Sequence, residues 1–213
     1  MHFLSEVLEN YIESNSEAEP KVLRQLRRET HLKVIQPRMI SGHFQGRFLS
    51  ILSKIVRPKN ILEIGTYTGY SAICLAEGLS QDGRLYTIEV NEELCAIQQK
   101  YFIKSGFENH IQPYIGDALD LIPNMDVVFD LIFIDAEKKN YDAYFEACIK
   151  KTRPGSVILS DNVLWSGKVV EQVDSTDKTT QALLRYNQKL QSDPRVETVL
   201  LPIRDGLTLS RVL

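Results

Sequence analysis

The sequence predicts an α/β fold: a doubly wound, mainly parallel sheet of seven strands with an antiparallel C-terminal hairpin and extra N-terminal helices. Three observations lead there. From residue 60 onward, short β-branched runs alternate with helical patterns, the mark of βαβ units. Near the end, Arg204-Asp205-Gly206 separates two apolar runs, which signals a hairpin. The 213 residues are 43% hydrophobic and 25% charged, globular averages that exclude a disordered chain or a coiled-coil rod.

The elements follow in order. Helical stretches run near Phe3–Ser14, Lys21–Lys33 and Gly42–Val56, interrupted by Gln36-Pro37, where the proline lacks a helical donor. They make residues 1–56 a helical cap, expected to cover the site or a partner subunit, on a core of 57–213, all within one domain. Strands are expected at Asn60–Ile64, Arg84–Val90, Ile111–Ile115, Phe129–Asp135 and Ser156–Ser160. Between them lie helices at Tyr70–Leu79, Glu92–Lys104, Ala118–Ile122 and Tyr141–Lys151, with Gly78, Gly83, Gly106 and Pro154-Gly155 at ends and turns. A helix at Lys178–Gln191 then leads to the hairpin of Arg195–Ile203 and Leu207–Val212.

Composition narrows the function. A net charge of −3 without any Lys/Arg block lacks the footprint that holds a phosphate backbone, so no nucleic-acid partner is expected. No apolar run approaches the roughly 20 residues of a membrane span, and the acidic start lacks a secretory pattern, so a cytoplasmic protein is expected. Cys74, Cys95 and Cys148 form no CxxC pair and are expected as small core residues in a reducing compartment.

The chemistry concentrates at strand ends. In Ile61-Leu-Glu63-Ile-Gly65-Thr-Tyr67-Thr-Gly69-Tyr-Ser71 a strand gives way to a glycine-bearing turn and a helix, where parallel sheets bind nucleotide-like ligands. Taken alone, Gly65 and Gly69 equally serve tight packing. Glu89, ending the next strand about 20 residues on, suits an acid that grips ribose hydroxyls. Tyr67 and Tyr70 stand where a dinucleotide fold needs glycine, which disfavours a nicotinamide-dependent oxidoreductase. The E-x-G-x-x-x-G spacing instead resembles the first motif of class I S-adenosylmethionine-dependent methyltransferases, whose Rossmann-like fold matches the expected sheet. By that resemblance Glu63 orders the loop and meets the methionine ammonium, and Gly116-Asp117-Ala118 lies against the adenine. Asp135 and Asp161-Asn162 end two further strands. Each alone is an ordinary helix cap; together they offer oxygen donors suited to Mg²⁺, Ca²⁺ or Mn²⁺ rather than zinc.

Phe133-Ile-Asp135-Ala-Glu-Lys138-Lys139-Asn-Tyr141, with Leu159-Ser-Asp161-Asn162-Val163-Leu-Trp165-Ser-Gly167, closely resembles the Mg²⁺-dependent catechol and caffeoyl-coenzyme A O-methyltransferase family from about Gln36 onward. The resemblance implies that Asp135, Asp161 and Asn162 bind the metal and that Lys138 is the general base. It also implies that Met39-Ile40-Ser41 folds over the cofactor, that Ser71 meets its carboxylate, and that Tyr67, Asp117, Ala118 and Asp135 help to hold it. The expected acceptor is a small aromatic vicinal diol, which chelates the cation and loses a proton to a base. Like-charge repulsion from the cation and the sulfonium favours the neutral amine of Lys138, while Lys139 is the outer, solvated fallback. The catechol branch carries a tryptophan and a proline where this chain has Glu137 and Ser166, so the loop looks more like the caffeoyl-coenzyme A and bacterial branch, with Trp165 as a wall or packing residue. A homodimer is implied as well. A non-catalytic assembly protein is disfavoured because the metal ligands and Lys138 are all present.

Overall fold

The computed structural model describes residues 5–213, so the first residues of the expected Phe3–Ser14 helix lie outside the described part. The chain divides into two compact units, residues 5–117 and 118–213. The seven strands follow the order β3-β2-β1-β4-β5-β7-β6 along one sheet, with ranges given below.

Residues 5–117 hold α1 (Glu6–Ser14), α2 (Lys21–Lys33), α3 (Gly42–Val56), β1 (Asn60–Ile64), α4 (Tyr70–Ala76), β2 (Arg84–Glu89), α5 (Cys95–Ser105) and β3 (Ile111–Ile115). Ser5 caps α1 by accepting from the Leu8 N–H. The break at Gln36-Pro37 appears as expected: Gln36 turns left-handed at φ 57° and Pro37–Met39 makes one 3₁₀ turn. Strands β1, β2 and β3 run parallel, with Glu63 opposite Thr87 and Glu89 opposite Ile115. Ile61–Ile64 are wholly buried, which is why this strand reads as an unbroken run rather than an alternating one. β3 lies at the sheet edge, the position where Pro113 costs no ladder bond. α4 stops at Ala76, short of Leu79, because the side chain of Glu77 is held by Arg47 and Ser50 of α3 and Gly78 packs onto the backbone of Ser53.

Residues 118–213 hold α6 (Ala118–Asn124), β4 (Leu131–Ile134), α7 (Tyr141–Ile149), β5 (Val157–Asp161), α8 (Lys178–Ser192), β6 (Val196–Leu201) and β7 (Leu207–Val212). β4 and β5 are parallel, while β7 pairs antiparallel with both β5 and β6, as the Asp-Gly turn predicts. Phe129, Phe133, Phe145, Leu159, Leu183 and Tyr186 fill this unit's core without solvent contact. The strand expected over Phe129–Asp135 is shorter, so Asp135 lies just past its end. Lys138 falls in a 3₁₀ turn, Lys138–Asn140, that precedes α7.

Cys74 and Cys148 are buried as expected, and burial pushes the Cys74 thiol up to about 12. Cys95 is not a core residue: it opens α5 on an exposed face, where helical periodicity leaves it outside. Among the described residues no helix is long and apolar enough to cross a membrane.

Candidate active site

In residues 5–117 the turn after β1 is shaped by residues of unlike type. Tyr67 adopts φ 48° at the position where a dinucleotide fold would carry glycine, so a bulky side chain takes the left-handed conformation itself. Its N–H donates to Glu89 Oε2 at 2.7 Å, while Glu89 Oε1 accepts from the N–H groups of Val90 and Asn91 at 3.0 and 2.9 Å. The Tyr67 hydroxyl donates toward the carbonyls of Ile35 and Gln36, both at 3.3 Å, and Gln98 Nε2 of α5 donates to the Tyr67 carbonyl at 2.7 Å. Gly69 sits at φ 89°, and a Cβ there would lie 2.6 Å from the Phe102 ring.

Glu63 has no solvent exposure and accepts from Thr87 Oγ1 at 2.5 Å, and Thr87 in turn contacts Thr66 of the turn at 2.5 Å. Such a chain ties the strand-end carboxylate to the loop, because a buried charge needs donors around it. Ser71 is buried in the first turn of α4. Gly65 is at φ 99° and donates its N–H to the Ile88 carbonyl, beside Glu89. Ile40 and Ser41 are buried, whereas Met39 is 57% exposed. Gly116 donates to the Glu89 carbonyl at 2.9 Å, which brings the Gly116-Asp117 step to the end of β2, where Asp117 is an exposed residue.

Residues 118–213 open with buried Ala118 and carry the second constellation. Lys138 Nζ, with its side chain 9% exposed, donates to Asp135 Oδ1 at 2.8 Å and to the Tyr141 hydroxyl at 2.7 Å. The Tyr141 hydroxyl donates to the main-chain carbonyl of Asp161 at 2.8 Å. Burial first, and the charges of Asp135 and Asp161 next, hold this phenol protonated far above its ordinary range. Asp161 is 2% exposed and its Oδ1 accepts the Asn162 N–H at 2.8 Å. Asn162 itself is left-handed at φ 58°, a conformation that asparagine tolerates better than most residues. Lys139 is exposed, as expected of the outer lysine.

Asp135, Asp161 and Asn162 offer carboxylate and amide oxygens alone, a donor set that fits a hard divalent cation. Among the described residues no group of three or more His, Cys, Asp or Glu side chains gathers as a metal cluster.

The loop beyond Asn162 is seated by residues that motif reading passes over. Val163 and Leu164 donate to the carbonyls of Gly206 and Asp205, and the Ser166 N–H donates to Asp205 Oδ1. Asn187 of α8 donates to the Val163 carbonyl at 2.9 Å. Trp165 and Ser166 are left-handed at φ 48° and 55°. A proline ring fixes φ near about −65° and has no N–H, so the proline of the catechol branch is incompatible with this loop. The Asp-Gly hairpin signal was the only hint of this seat, and it pointed to a turn rather than to a support. Tyr141 stood inside the recognised run, three residues after Lys138, without a role assigned to it.

Known proteins match the chain over nearly its whole length. The sequence model of the family described as O-methyltransferase matches residues 13–213. The catechol O-methyltransferase of Niastella koreensis is 37% identical over 79% of this chain and 80% of its own. The caffeoyl-CoA O-methyltransferase of Zinnia elegans is 36% identical over 97% of this chain and 89% of its own. The crystal structure of the Bacillus cereus O-methyltransferase in complex with SAH superposes with a TM-score of 0.90 at 32% identity, covering 97% of both chains. The match to the family over residues 13–213, together with relatives above one-third identity, places this chain in the O-methyltransferase family of S-adenosylmethionine-dependent enzymes.

Proposed function

We propose that the protein transfers the S-adenosylmethionine methyl group to one hydroxyl of a small catechol-like aromatic diol, with Lys138 as general base and Asp135, Asp161 and Asn162 as the ligands of a divalent cation. The observation that carries this reading is the placement of Lys138 Nζ, 2.8 Å from Asp135 Oδ1 on a side chain almost sealed from solvent. An amine held at a prospective ligand is placed to take a proton from a hydroxyl bound there.

A bound divalent cation supplies positive charge that acidifies the acceptor hydroxyl. The chain's own residues do the rest. Lys138 receives the proton as the acceptor oxygen takes the methyl carbon and the carbon–sulfur bond breaks. Glu89 accepts from the ribose hydroxyls, Glu63 and Ser71 hold the two charged groups of the methionine end, and Asp117 and Ala118 lie against the adenine. Gly65 and Tyr67 shape the turn, while Met39, Ile40 and Ser41 close over the cofactor. Both units then serve one catalytic domain. The positive φ of Ser166 favours the caffeoyl-coenzyme A and bacterial branch for the acceptor loop, with Trp165 as an acceptor wall.

The same reading includes a cytoplasmic homodimer. Exposed Leu32, Ile51 and Ile55 on α2 and α3 supply apolar surface for it, and light scattering that finds only monomer in the active enzyme would remove it. The acceptor is tested by incubating the enzyme with S-adenosylmethionine and a panel of vicinal diols and matched monophenols, reading methylated product by mass spectrometry. Equal methylation of diols and monophenols would overturn the diol assignment.

A further inference from the structure

We propose that Tyr141 is a positioning residue: its buried hydroxyl clamps the amine of Lys138 and registers it against the strand end that carries Asp161. The inference rests on the reading of Lys138 as general base and adds the group that makes this lysine, rather than its neighbour, effective.

A lysine side chain has four rotatable bonds and loses considerable entropy when its amine is confined to one place. Two acceptors confine Lys138: Asp135 Oδ1 at 2.8 Å and the Tyr141 hydroxyl at 2.7 Å. The second is the fixed one. Tyr141 has no solvent exposure, and its ring meets Tyr186 edge-on at 5.4 Å. Tyr186 is anchored in turn by Ser160 of β5 at 2.6 Å. The single hydrogen of the Tyr141 hydroxyl has the Asp161 carbonyl at 2.8 Å as its nearer acceptor and the Ile134 carbonyl at 3.3 Å, and donation to either leaves the oxygen lone pairs for Lys138. One phenol therefore measures the spacing between the base and the main chain of a prospective metal ligand.

Local structure explains the choice of residue. Lys138–Asn140 is a 3₁₀ turn, and in that geometry residues three apart eclipse one another, so the side chains at 138 and 141 share one line. Lys139 projects elsewhere and is exposed. Asp135 is also claimed as a metal ligand, whereas the Tyr141 clamp does not depend on whether Asp135 is engaged.

The test compares Tyr141→Phe, Lys138→Met and the double variant, each checked for folding by circular dichroism and thermal melting. Tyr141→Phe is expected to lower kcat by about 10- to 100-fold, the scale of a misplaced catalytic group, with KM for S-adenosylmethionine held within about twofold. Because Tyr141 acts through Lys138, the double variant is expected to be no slower than Lys138→Met alone, since groups acting as one unit are not additive. A Tyr141→Phe enzyme at wild-type kcat, or losses that multiply in the double variant, would overturn the proposal while leaving the base reading intact. A fully active Lys138→Met would overturn both. Should Tyr141→Phe fail to fold, 3-fluorotyrosine placed at position 141 provides a readout independent of turnover: its ¹⁹F resonance is expected to move on Lys138→Met and to stay in place on Lys139→Met. An unmoved resonance in Lys138→Met would overturn the clamp.

Discussion

The N–H of Tyr67 donates to Glu89 Oε2 at 2.7 Å, so the carboxylate that ends β2 also sets the shape of the turn that follows β1. One residue thus fixes the loop, and under the proposed function it also accepts from the ribose hydroxyls. Glu89→Ala is expected to weaken S-adenosylmethionine binding by about 1.5–3 kcal/mol, the range for hydrogen bonds to a charged group. It is also expected to lower the melting temperature, since three backbone donors lose their acceptor. Titration calorimetry on the folded variant decides: wild-type affinity would take Glu89 out of the cofactor site.

Lys138→Met is expected to slow turnover roughly 10²–10⁴-fold, the usual contribution of a positioned base, with cofactor affinity nearly unchanged. Single-turnover methylation alongside calorimetry separates the two quantities. Retained turnover would assign proton removal to another group.

Activity is expected to vanish with a chelator and return with Mg²⁺, and Asp161→Ala is expected to abolish that return. The reason lies in the donor set: Asp135 and Asp161 are its only two carboxylates, so removing one halves the charge available to a dication. Full activity in the presence of chelator would sink the metal assignment.

Ser166→Pro is expected to raise KM for the acceptor about tenfold with little change in KM for S-adenosylmethionine. Proline cannot hold φ 55° and cannot donate to Asp205, so the loop must leave its seat. Steady-state kinetics with each substrate varied in turn gives the comparison, and equal acceptor KM values would free the loop from any part in acceptor binding.

Gly69→Ala is expected to destabilise the fold by about 1–3 kcal/mol, combining a left-handed backbone with a steric conflict. The added Cβ would lie 2.6 Å from the Phe102 ring, and φ is 89°. Urea unfolding with an unchanged midpoint would contradict this.

What the sequence revealed was what neighbours in the chain decide. The buried run Ile61–Ile64, the glycines that follow it and the Asp-Gly hairpin each depend on a few consecutive residues, and each element stands where its pattern put it. Glu89 was legible as a strand-end acid, but its bonds to Tyr67, 22 positions away, arise only once β1 and β2 pair. The clamp on Lys138 hides for a different reason, since a tyrosine three residues after a lysine reads as ordinary helix packing until a 3₁₀ turn aligns the two. The early end of α4 depends on Gly78 meeting Ser53 of α3, a contact 25 positions apart that no local pattern encodes. Cys95 lies in a helical stretch without a CxxC partner, and neither feature says which side of the helix faces water.

The hairpin turn at Asp205-Gly206 carries the loop from Val163 to Ser166, and Gly206 lies so close to Leu164 that any side chain there would collide with it. Asp161, by contrast, is the last residue of β5, and Asn162 follows it directly. Under the proposed function, acceptor preference and proton removal are therefore tethered to different parts of the chain. Substitutions at residues 203–205, a stretch far downstream, are then expected to alter acceptor preference without retouching the end of β5, whereas Gly206 must stay glycine. For directed evolution this makes the hairpin tip the library target to set against the Asp161-Asn162 strand end.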